Sequence, residues 1–151
     1  MKYEVVELSE KTVVGITERT KNDDEKMPEV IGGLWQRFYA EGIYQSIESK
    51  KNSYSLGLYS NYESDANGEY DITVCCEVDK SENPPPGTEV KTIPAGKYAK
   101  FVVKGPMQTV VYEFWQKLWS MDLDRKCSYD FEEYLSDDME NGEIHIYIAI
   151  H

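Results

Sequence analysis

The sequence predicts an α+β fold made by tandem duplication. Two strand-helix-strand-strand units form an antiparallel sheet covered by two helices, with a groove between the pseudo-symmetric halves. Three observations carry this. Blocks of sequence recur in order: residues 5–16 align without a gap on 90–101, Leu34-Trp35-Gln36-Arg37-Phe38-Tyr39 on Phe114-Trp115-Gln116-Lys117-Leu118-Trp119, and Asn67-Gly68-Glu69-Tyr70-Asp71-Ile72 on Asn141-Gly142-Glu143-Ile144-His145-Ile146. The offsets of 85, 80 and 74 residues keep the order while giving the first half longer connections. Apolar residues alternate in several short runs, the signature of strands with one buried face, and two longer runs repeat at helical spacing. One domain over 1–151 follows, with repeats at about 1–82 and 88–151 and a link at 83–87. A groove on the axis between such halves is a natural ligand site.

The elements follow in order. Residues 3–8 and 12–20 read as extended segments around a short Ser9-Glu10-Lys11 turn, with Val13, Val14 and Ile16 as β-branched content. Pro28, with acidic Glu29 beside it, sits where a helix begins. Ile31, Leu34, Trp35, Phe38 and Tyr39 then follow at spacings of three and four. Residues 54–59 alternate, with Tyr54, Leu56 and Leu58 on one face and Ser55, Gly57 and Tyr59 on the other. A turn-rich segment at 61–68 leads to 70–78, whose Ile72, Val74 and Cys76 share a face, so the two strands make a hairpin. Asn83-Pro84-Pro85-Pro86-Gly87 is stiff and poor in donors, which suits a link.

The second half repeats the plan. Strand character over 89–104 is interrupted at Pro94-Ala95-Gly96. Gly105-Pro106 opens a helix carrying Val110, Val111, Phe114, Trp115, Leu118 and Trp119. Residues 128–135 and 143–150 are the last strands, the latter with Ile144, Ile146, Ile148 and Ile150 on one face, around an acidic turn at 137–142. The sum is about eight strands and two helices.

Composition narrows the function. Mean hydropathy is -0.60, and no apolar run approaches the roughly 20 residues that span a bilayer. The N-terminus lacks the apolar stretch of a signal peptide, so a cytoplasmic location without membrane attachment is expected. Cys75 and Cys76 are adjacent, and on a strand they point to opposite faces, as small core residues of a reducing compartment. Sixteen basic residues face 28 acidic ones, for a net charge of -12. Direct nucleic-acid binding draws its affinity from Lys and Arg on phosphates, and this chain has no basic stripe. The same field favours cationic ligands, although acidity also serves solubility. His145 and His151 have no Cys or carboxylate at metal-ligand spacing, so neither metal nor cofactor is expected.

The aromatic count is high, with twelve Tyr, three Trp and four Phe. Trp35, Tyr39, Trp115 and Trp119 lie on the two matched helices, as core or as the lining of an aromatic groove that can hold a cation. Tyr129-Asp130-Phe131-Glu132-Glu133-Tyr134 carries two consecutive carboxylates inside a strand. Alternation sends one of them toward the helix-covered side, where it needs a partner, unless the strand is an exposed edge that tolerates both.

Phe131-Glu132-Glu133-Tyr134, followed by Glu143-Ile144-His145-Ile146-Tyr147-Ile148-Ala149-Ile150, resembles the C-terminal signature of the GyrI-like small-molecule-binding domains, the effector-binding domains of AraC- and MerR-type multidrug regulators. Val13-Val14-Gly15-Ile16, Tyr54-Ser55-Leu56-Gly57-Leu58-Tyr59 and Ile93-Pro94-Ala95-Gly96-Lys97-Tyr98-Ala99 resemble further family marks in the same order. Ala149 stands where the family usually has Pro. The resemblance implies a groove between tandem units and a buried Glu that recognises lipophilic cations, which carries over to Glu132 with Tyr134 beside it. The expected ligand-binding set is Glu132, Tyr134, Trp115, Trp35, Tyr54 and Tyr147, for a hydrophobic aromatic or cationic small molecule. Tyr147 alternates with the isoleucines and is the member that can face the other way. With no DNA-binding domain in the sequence, the resemblance implies a stand-alone drug-sensing or toxin-sequestering member. Its alternatives are a hydrolase of cyclopropane-bearing toxins, with Glu132 as general base and Tyr134 as donor, and an acidic protein that binds a partner such as gyrase or a regulator.

Overall fold

In a computed structural model of the chain, residues 2–21, 24–63, 68–80, 82–136, 138 and 140–151 are described. The acidic runs at 22–25 and 137–140 and the turn at 61–68 lie partly outside the described residues, as does Asn67 of the third repeated block. The elements run β1 (Glu4–Leu8), β2 (Lys11–Lys21), α1 (Met27–Ala40), α2 (Ile43–Ser46), β3 (Ser55–Ser60), β4 (Glu69–Val78), β5 (Glu89–Ile93), β6 (Gly96–Gly105), α3 (Met107–Trp119), β7 (Tyr129–Tyr134) and β8 (Gly142–Ala149). Pro28 occupies the first turn of α1 with Glu29, and Arg37 sits in its last turn, each matching the helix dipole. The short α2 follows Gly42, whose φ of 72° ends α1 in a left-handed conformation.

Eight antiparallel strands form one sheet in the order β1-β6-β8-β7-β3-β4-β2-β5. The sequence places β1 and β2 around a short turn, yet they are not neighbours. β1 pairs with β6 of the second half, and β5 pairs with β2 of the first. The two halves therefore exchange their first strands.

This exchange bends the sheet. β1 and β2 stand six strand positions apart but are joined by only Ser9 and Glu10, as β5 and β6 are by Pro94 and Ala95. A flat sheet would separate them by roughly 29 Å, whereas such a link reaches at most about 11 Å. The sheet must curl until its ends meet. The registers show how: Glu4 faces Lys100, Leu8 faces Gly96, Lys11 faces Ile93 and Gly15 faces Glu89. Residues 4–15 thus run along 89–100 as a single ladder, interrupted where Pro94 has no N–H to give.

Curling buries both faces. Inside lie Val13, Leu56, Leu58, Cys75, Ile93, Tyr98, Phe131 and Tyr147. Outside, α1 packs Leu34 and Phe38 on Val14, Ile16, Ile72 and Val74, and α3 packs Phe114 and Leu118 on Phe101, Ile144, Ile146 and Ile148. Cys75 and Cys76 point into different cores, and burial pushes the Cys76 thiol up to about 12.

The ladders also correct the third repeated block. Val14 matches Ala99, and they face Cys76 and Ile148, so Cys76 matches Ile148. Leu56 faces Cys75 and Phe131 faces Tyr147, so Leu56 matches Phe131 and Gly57 matches Glu132. The Asn-Gly-Glu alignment is therefore two residues out of register. Two residues is one strand period, so apolar and polar faces still coincided.

Candidate functional site

The seam between the halves is the β3–β7 pair, where Gly57 lies directly opposite Glu132. These residues are each other's mates in the duplication, so the pseudo-twofold axis passes through this pair. Residues directly opposite in an antiparallel pair share a face, and this one looks out between α1 and α3. The helices bring Trp35 and Trp115, which match in the duplication, and the strands bring Tyr59 and Tyr134, which also match. Trp35 packs edge-on against Tyr134 at 5.0 Å, and Trp115 packs edge-on against Tyr59 at 5.1 Å. Each half's indole thus rests on the other half's phenol. Against this symmetric aromatic frame, the axis itself holds a carboxylate on one side and no side chain on the other.

Three donors converge on Glu132. The Tyr134 hydroxyl donates to Oε1 at 2.6 Å, and the Trp115 indole N–H and Tyr59 hydroxyl donate to Oε2 at 2.6 and 2.9 Å. The side chain is 2% exposed. Burial pushes its carboxyl up, and the three hydrogen bonds, Tyr134 first, pull it partly back. Burial, with the Glu132 charge beside them, raises the Tyr59 and Tyr134 hydroxyls well above 10.0, so both remain donors at neutral pH. Among the described residues, no Lys, Arg or His forms an ion pair with Glu132.

Of the residues expected from sequence, the structure brings Glu132, Tyr134, Trp115 and Trp35 together. It does not bring Tyr147 or Tyr54. Tyr147 stacks on Phe131 at 4.6 Å in the inner core, on the other side of the sheet. Tyr54 lies just before β3, outside the strand whose Leu56 and Leu58 point inward, and is not among the residues bonded to Glu132. Tyr59 takes the place that Tyr54 was expected to fill. Its alternation with Leu58 was correct, but the outward side of β3 is the Ser55-Gly57-Tyr59 side. The available signal was the match of Tyr59 to Tyr134, hidden by the slipped third block. Glu133 points inward, with Oε1 3.9 Å from His145 Nδ1.

Asp130, two residues before Glu132, is a second buried carboxylate. It accepts from Arg125 Nη2 at 2.8 Å, the Tyr62 hydroxyl at 2.6 Å and the Ala149 N–H at 2.9 Å.

A curled antiparallel sheet with two helices over an aromatic, carboxylate-centred seam defines an effector-binding domain of the GyrI-like kind. The chain belongs to the Cass2 family of integron-associated effector binding proteins, whose model matches residues 4–150. The integron cassette protein VCH_CASS2 from the mobile metagenome of Vibrio cholerae is 30% identical, with a TM-score of 0.82 over 99% of this chain and 95% of that one. The YobU protein of Bacillus subtilis (strain 168) is 29% identical over 153 residues, covering 97% of this chain and 96% of its own. SAV2435, solved bound to tetraphenylphosphonium, shares the fold at a TM-score of 0.83 and 23% identity, over 100% of this chain and 94% of that one. Among the described residues, no helix is long and apolar enough to cross a membrane.

Proposed function

We propose that the chain binds a lipophilic aromatic monocation over the β3–β7 seam, in a drug-sensing or toxin-sequestering role. The observation that carries this is the buried Glu132 carboxyl, which has three neutral hydrogen-bond donors but no cation of its own among the described residues. A ligand cation supplies the missing charge, and indole and phenol faces on both sides attract it further. Stacking tolerates many ring systems, so the selectivity is broad. The net charge of -12 draws cations toward the site. Glu132 is covered by its aromatic neighbours, so a ligand reaches it as those side chains part. That a protein of the same fold is bound to tetraphenylphosphonium, a cation of this class, supports the reading.

The test is a thermal-shift and calorimetric comparison of tetraphenylphosphonium with neutral triphenylphosphine oxide. The cation raises the melting temperature of the wild-type protein by mass action. Glu132→Gln weakens the cation by about 1–3 kcal/mol, the loss of a charge-assisted contact, and leaves the neutral compound unchanged. No response to the cation, or an equal response in Glu132→Gln, sinks the proposal.

A further inference from the structure

The glycines of this chain do different jobs. Gly42, Gly87 and Gly105 have φ of 72°, 83° and 131°, where L side chains are strained. Gly15 has ordinary strand geometry, but an added Cβ would lie 2.0 Å from the Val74 carbonyl oxygen, so backbone approach requires it. Gly57 fits neither class. It is not among the positive-φ glycines, and the atoms nearest an added Cβ are all in side chains: Glu132 Oε1 at 3.0 Å, Trp35 Cζ2 at 3.5 Å and Glu132 Cδ at 3.9 Å. No backbone atom is among them. A glycine in a central strand weakens that strand, and here neither dihedral angle nor backbone packing demands it. What it provides is space, between the carboxylate and one of the two indoles, at the point where the pseudo-twofold axis leaves the sheet.

We infer that Gly57 is a specificity-determining residue of this site. Its missing side chain leaves the half of the axis opposite Glu132 to the carboxylate and the Trp35 edge, and so sets how large a cation can be seated on the carboxylate once the aromatic side chains part. This rests on the cation-binding reading above. A methyl at Gly57 meets Glu132 Oε1 at 3.0 Å and Trp35 Cζ2 at 3.5 Å, so the carboxylate must give by a few tenths of an ångström and turns relative to Tyr134. A bulky cation then loses both room and its aligned carboxylate, while a small one still fits. The position also limits charge: Glu132 offers one carboxylate and Gly57 none, so a monocation is matched and a dication is left half compensated.

The experiment compares wild type, Gly57→Ala and Gly33→Ala against tetraphenylphosphonium and tetramethylammonium by calorimetry. Gly33 is the control because an added Cβ there meets nothing within 4 Å. Gly57→Ala weakens tetraphenylphosphonium at least tenfold and changes tetramethylammonium less than twofold. Gly33→Ala changes neither affinity. The nitrogen-bound proton of the Trp115 indole, which donates to Glu132, needs no ligand: its NMR resonance moves in Gly57→Ala and stays in Gly33→Ala. Wild-type affinity for tetraphenylphosphonium in Gly57→Ala, or an unmoved Trp115 resonance, overturns the role of Gly57 and leaves the cation reading standing. A wild-type protein that ignores both cations overturns the cation reading itself, and Gly57 is then a packing residue only.

Discussion

Asp130 and Glu132 are two buried carboxylates on one short strand, and they are solved differently. Each accepts three hydrogen bonds. For Asp130 one donor is the guanidinium of Arg125, so its charge is neutralised within the fold. For Glu132 all three donors are neutral, so its polar needs are met and its charge is not. Hydrogen bonds to a carboxylate orient it and lower the cost of burial, but they leave a net charge in a medium of low dielectric. The difference separates a carboxylate neutralised within the fold from one that is not, and the proposed cation binding rests on the second.

Breaking the Asp130 pair gives the largest effect. Arg125→Met leaves a buried, uncompensated aspartate, and urea unfolding should show a loss of about 3–5 kcal/mol. A loss below about 1 kcal/mol would erase the distinction between the two carboxylates. Next, Tyr134→Phe removes the 2.6 Å hydroxyl contact to Glu132 and should lower stability by about 1.5–3 kcal/mol, with Tyr59→Phe, at 2.9 Å, losing less. The reverse ranking would show that contact length does not order the two hydroxyls' contributions. Glu132→Gln should hold or raise stability, since no cation loses its partner. A fall like that of Arg125→Met would reveal a counter-ion within the fold.

The same contrast sets a pH dependence. The folded carboxyl of Glu132 lies above its ordinary value of 4.5, so within that interval the folded state holds a proton that the unfolded state has lost. Its contribution to stability falls as pH rises from 4.5 through the raised folded value. The stability of Glu132→Gln relative to wild type should therefore increase with pH across that window, and a flat difference would mean the carboxyl is unperturbed. The same protonation weakens cation binding at low pH. The smallest effect belongs to Glu133→Gln. Glu133 points inward, and tetraphenylphosphonium affinity should change by less than about 0.5 kcal/mol.

Much of this was legible in the sequence because duplication leaves a local trace. The match of residues 5–16 to 90–101 reproduces the registers of both exchanged strand pairs, and the helix block pairs Trp35 with Trp115. The exchange itself was not legible, since pairing β1 with β6 is a contact between distant residues that no window of sequence contains. The face of β3 was misread for a physical reason. Leu56 and Leu58 look like the side toward a helix, but a curled sheet is apolar on both sides, and they fill its interior. The other face, Ser55, Gly57 and Tyr59, is the one that turns to the helices and the candidate site. Tyr147 takes the side that its alternation with the isoleucines allows, inward on a strand whose isoleucines face α3.

The exchanged first strands have one more consequence. A single repeat paired with a copy of itself could donate its first strand in the same fashion, and the result would be a homodimer with a true twofold axis. Whatever residue stood at the axis would then appear twice. Two glutamates would face each other there and repel, and two glycines would leave no charge to recognise. Joining the repeats in one chain removes that constraint, because each copy can change alone. The Gly57–Glu132 pair is what the covalent link allows: an unsymmetrical centre in a symmetrical frame, with the charge of one residue and the room of the other.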